Sequence, residues 1–138
     1  MAGLKSLIRL RKHALDEKRQ AVAKLIAMLD NLQREERRML EELDAEKKHA
    51  TTDAETRIAF PNYNKRMQST LKALDGEKSR LVMAIDRAQT ELQDAFKEYK
   101  TYEITERERE RIKAAAEKKT EDQAMDEIGL EGFRRKEK

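Results

Sequence analysis

From Phe60 to Tyr102 a stripe of mostly apolar side chains recurs at alternating steps of four and three residues, through Met67, Leu71, Leu74, Leu81, Ile85, Leu92 and Tyr99. A repeat of 3.5 residues keeps one stripe of a helix turned toward a partner helix, which is the condition for a coiled coil. A strict seven-residue repeat also gives the pair a left-handed supercoil. A second stripe of the same spacing runs from Leu4 to Ala50, through Ile8, Leu15, Val22, Leu29, Met39 and Leu43. Neither Pro nor Gly interrupts it. Few folds satisfy two such stripes, and the simplest packs one against the other.

Pro61 lies between the stripes, and Pro suits the first position of a helix because its missing N–H would have no partner there. The expected organisation is therefore all-α. Residues 1–120 form a long antiparallel two-helix coiled-coil hairpin, with helix 1 at about 4–52, a turn at about 53–60 and helix 2 at about 61–118. Thr52 to Glu55 matches a capping box and offers an earlier start for helix 2. Residues 121–138, acidic and then broken by Gly129 and Gly132, read as a flexible charged tail. Pairing residues whose numbers sum to 110 sets every layer of one stripe against the other, and so does a sum of 117. In both registers Glu36 and Lys78 fall in neighbouring layers. Such a polar pair either fixes the register or reaches out of the seam to water.

Composition agrees with a narrow buried stripe. Charged residues make up 43% of the 138 residues and aromatics 4%, with no Trp, too little bulk for a layered core. The chain has no Cys, which excludes disulfides and thiolate chemistry. No apolar run approaches the roughly 20 residues that span a bilayer. The first twelve residues place Lys5, Arg9 and Arg11 among their apolar side chains, unlike a signal peptide.

A catalytic site needs a pocket, which two helices do not enclose, so no catalytic, cofactor-binding or metal-binding residues are assigned and no small-molecule substrate is expected. His13 with Glu17, and His49 with Asp53, stand four apart on a helix, but two ligands are too few for a stable metal site. The charge distribution is more informative. Residues 1–20 carry six Lys or Arg against two acids, whereas residues 40–70 carry five against six. In a hairpin the first stretch lies beside residues 101–120, so the open end is basic and suited to an acidic surface or pore. Leu10 and Ile104 fall on outward heptad positions near that end.

Several stretches resemble the FliJ family, small coiled-coil components of the bacterial flagellar type III export apparatus. They are Leu7 to Lys12, Asn62-Tyr63, Lys97 to Lys100, and above all the tail, where Met125-Asp-Glu-Ile128 is followed by Arg134-Arg135-Lys136. The resemblance covers nearly the whole length. It implies a non-catalytic cytoplasmic protein, peripheral at the inner face of the cytoplasmic membrane through its partners. Those partners are the hexameric export ATPase, the membrane export gate protein and export chaperones. It implies insertion of the open end into the ATPase ring, with candidate contacts Leu7, Arg9, Leu10, Arg11, Lys12, Ile104, Arg107 and Arg111. Aligned on Asn62-Tyr63, the export-gate contacts become Arg66, Thr70, Ala73 and Glu77.

Two other readings fit a basic, charged hairpin. One is a nucleic-acid-binding coiled-coil arm, supported by a pI near 9.1 but opposed by a net charge of only +3 and by acids interspersed among the cations. The other is a general cytoplasmic coiled-coil chaperone that clasps unfolded clients.

Overall fold

The computed structural model describes residues 2–137. It is an all-α two-helix hairpin: helix α1 spans Ala2–Ala50, helix α2 spans Ala54–Glu137, and Thr51, Thr52 and Asp53 connect them. The last turn of α1 carries Lys47 and Lys48, cations where the helix dipole is negative. Its final carbonyls find donors in the connection. Thr51 donates to Lys48 O through both its amide, at 3.2 Å, and its hydroxyl, at 2.6 Å. Arg57 reaches back from α2 and donates to Ala50 O at 3.2 Å and Thr51 O at 3.3 Å.

Helix α2 begins seven residues earlier than the expected 61, and the expected turn at 53–60 shrinks to residues 51–53. The reason is Asp53. Its carboxylate accepts from the Thr56 amide at 3.1 Å and the Thr56 hydroxyl at 2.6 Å, which satisfies an orphan donor of the first turn. Pro61 consequently lies inside α2. There it removes one backbone bond to Arg57 O, a cost of about 3 kcal/mol that the surrounding helix absorbs. The stretch expected as a flexible tail is also helical, and α2 runs through Gly129 and Gly132 to Glu137. Exposed helical Gly costs about 1 kcal/mol each relative to Ala, too little to stop a helix rich in Glu, Lys and Arg.

Burial follows the two stripes. Each of their positions is at least half-buried, including the charged Arg11, Lys18, Glu36 and Lys78. The deepest are Leu15, Val22, Met39, Ala50 and Leu74. Leu25, Leu29, Leu81 and Ile85 are only half-buried, since one partner helix covers one side of each. Asp53 and Thr56 extend the α2 stripe backward, and Glu106 extends it forward. Residues 107–136 are exposed throughout.

The chain divides into two compact units. The turn-bearing unit is Ala14–Ala95. Within it Lys78 donates to both carboxylate oxygens of Glu36, at 3.0 and 3.3 Å, and Lys18 meets Glu91 at 2.9 Å. The terminal unit is Met1–His13 with Phe96–Lys138. Within it Arg11 pairs with Glu98 at 3.2 Å and lies 5.8 Å above the Tyr102 ring. The Lys18–Glu91 and Arg11–Glu98 numbers both sum to 109. That is one short of 110 and eight short of 117, more than two helical turns. Each unit therefore pairs its helices in the 110 register.

Candidate functional site

All eight expected ATPase contacts fall in the terminal unit, on α1 from Leu7 to Lys12 and on α2 from Ile104 to Arg111. Twelve residues of α1, 2–13, belong to this unit and carry Lys5, Arg9, Arg11 and Lys12 with no acid. The first turn of α1 likewise lacks an acid. Of these cations only Lys5 lies in the first turn, where a cation opposes the helix dipole.

The cations divide into two groups. Arg11 is held by Glu98 and Tyr102, with its Nε buried and without a hydrogen-bond partner. It stacks on Tyr102, one turn beyond the Tyr99 that faces it in the 110 register. Arg107 meets Glu103 at 2.8 Å, and Arg111 makes a two-pronged contact with Glu108. No ion pair among the described residues engages Arg9 or Lys12, and both are exposed. Leu10 is 61% exposed and Ile104 60%, while Leu7 is half-buried. What this unit offers is Arg9 and Lys12 as available charge, with Leu10 and Ile104 as available apolar surface.

A polar cluster on α2 borders this surface. Glu103, half-buried, accepts from the Tyr99 hydroxyl, from Lys100 at 3.1 Å and from Arg107. The Tyr99 bond above all, then Lys100, holds its carboxyl below the usual range. Lys100 Nζ also stands 5.7 Å over the Phe96 ring and 6.0 Å over Tyr99. Glu108 is lowered likewise by Arg111. Lys5 borders a small polar hollow with Glu106, Arg109, Glu110 and Lys113. The sequence reading missed Glu98, Glu103 and Lys5. Glu103 was detectable four residues from both Tyr99 and Arg107; Glu98 needed the register.

The expected gate contacts Arg66, Thr70, Ala73 and Glu77 lie in the turn-bearing unit, all exposed and spaced four, three and four apart on one face of α2. The Thr70 hydroxyl donates to Arg66 O at 3.1 Å, so the face is polar at that point. Among the described residues no three His, Cys, Asp or Glu gather to hold a metal ion. No helix among them is long and apolar enough to cross a membrane.

A hairpin of two long helices, with its chemistry displayed on helix surfaces, defines a coiled-coil interaction protein. The flagellar FliJ protein family model matches residues 1–138, and the chain belongs to that family. It is thus a protein of the flagellar export system. Neither the curated proteins nor the solved structures contain a significant match to it.

Proposed function

We propose that the protein is a non-catalytic partner of the flagellar export ATPase, engaging the ATPase hexamer through its terminal unit. The observation that carries this reading is the acid-free, cation-rich start of α1, with Arg9 and Lys12 left without ion pairs among the described residues beside exposed Leu10. An acidic partner would supply the counter-charge that α1 lacks, and the exposed Leu and Ile would add apolar burial. In this reading Leu7, Arg9, Leu10, Arg11, Lys12, Ile104, Arg107 and Arg111 contact the ring. Arg66, Thr70, Ala73 and Glu77 face the export gate protein, export chaperones are further partners, and the chain works in the cytoplasm at the membrane's inner face.

Calorimetric titration of the purified ATPase at several salt concentrations tests this. Exposed charge contacts are screened by salt, so affinity should fall as salt rises. Binding that is indifferent to salt contradicts a charge-led interface. Replacing Thr70 and Ala73 by Glu should weaken capture of the gate protein and leave ATPase binding intact.

A further inference from the structure

One face of the exposed end of α2 carries an ordered series of side chains. Glu121, Met125, Ile128, Gly132 and Arg135 follow steps of four, three, four and three, and so share a face. Asp122, Gly129 and Lys136, seven apart, run alongside. Along the helix this face is acidic, then apolar and small, then basic. Among the described residues nothing covers it. Met125 is 69% exposed, Ile128 66% and Phe133, at its border, 62%. Neither Gly129 nor Gly132 has a neighbour that its missing side chain would meet, so the protomer's own packing gives no reason for either.

We propose that two copies of this chain associate through this face, their α2 ends antiparallel about a two-fold axis near Ile128 and Gly129. The order of charge argues for a second copy in that orientation. Reversing one helix sets Glu121 and Asp122 of each copy against Lys136 and Arg135 of the other. It sets Met125 against Gly132 and Ile128 against Gly129, large against small. A parallel pair would oppose acid to acid and base to base. In a two-fold arrangement each contact occurs twice, so a short face yields a doubled set of ion pairs. Arg135 lies 3.7 Å from Glu131 of its own helix, an exposed contact of little strength that an acid of the second copy replaces readily. The surface is small, so the dimer is weak and forms only as concentration rises.

Sedimentation equilibrium of the full chain over a concentration series tests the proposal. The wild-type chain should move toward dimer, and Ile128→Asp should remain monomeric with unchanged helix content. Two charge variants make the test specific: Glu121→Lys with Asp122→Lys, and Arg135→Glu with Lys136→Glu. Each alone should weaken association roughly tenfold or more, because like charges then face each other across the axis. An equimolar mixture should recover wild-type association. Since the chain has no Cys, single cysteines report the geometry cleanly. A mixture of Asp122→Cys and Lys136→Cys chains should cross-link between copies faster than either chain alone. A wild-type chain that stays monomeric throughout overturns the proposal. So does a dimer that the charge variants leave unchanged, or cysteines that cross-link faster alone than mixed.

Discussion

Asp53 stands where one helix hands over to the next, and its carboxylate is held below the ordinary range. The Thr56 hydroxyl contributes most, then the Thr56 amide, with His49 adding a smaller electrostatic share. A carboxyl lowered in the folded state adds stability above its unfolded pKa and loses it as pH falls through the folded value. Asp53→Ala should therefore lower the thermal midpoint at neutral pH, while Asp53→Asn keeps a capping oxygen. The stability difference between wild type and Asp53→Asn should shrink on acidification below about pH 4, near the ordinary Asp pKa. A difference that stays constant from neutral pH downward would show that the ionised cap contributes nothing. Among apolar residues, Leu15 is 3% exposed and Leu74 8%. Truncating either to Ala should cost about 2–5 kcal/mol in urea unfolding. Leu29→Ala should fall at about the lower end of that range, because Leu29 already meets water.

At the scale of elements, both stripes were legible because a two-helix seam tolerates little deviation from 3.5-residue spacing. The start of α2 was not legible, because Pro61 and the Thr52 to Glu55 capping box each carry a valid helix-start signal. A cap prevailed, one residue beyond Thr52: Asp53 satisfies a backbone donor that would otherwise be orphaned, and Pro61 removes only one bond further along. Pro61→Ala should then raise stability by up to about 3 kcal/mol, since it restores that bond within an existing helix. If instead it destabilises, Pro61 itself sets the helix boundary. The register was illegible because apolar layers repeat every seven residues and cannot distinguish sums of 110 and 117. Lys18 with Glu91 and Arg11 with Glu98 break that degeneracy, whereas the half-buried pair of Lys78 with Glu36 fits both registers. Replacing Glu36 alone by Leu should destabilise the hairpin more than replacing Glu36 and Lys78 together, because the single change strands a half-buried cation. Equal losses from the single and double variants would mean that both groups are already solvated.

For the molecule as a whole, the eight candidate contacts differ in their side-chain partners, which the sequence alone does not show. Arg11, Arg107 and Arg111 are tied to Glu98, Glu103 and Glu108, whereas no ion pair among the described residues engages Arg9 or Lys12. Side-chain partners across the seam decide which cations are available, and the register decides the partners. The most direct test of ATPase engagement is stimulation of the purified export ATPase by charge-reversed chains. Arg9→Glu with Lys12→Glu leaves both seams intact and should abolish stimulation while helix content stays at the wild-type level. Lys47→Glu, Lys48→Glu and Arg57→Glu in the turn-bearing unit should leave stimulation unchanged. Loss of stimulation in the second variant and its retention in the first would contradict the assignment of the ATPase contact to the terminal unit.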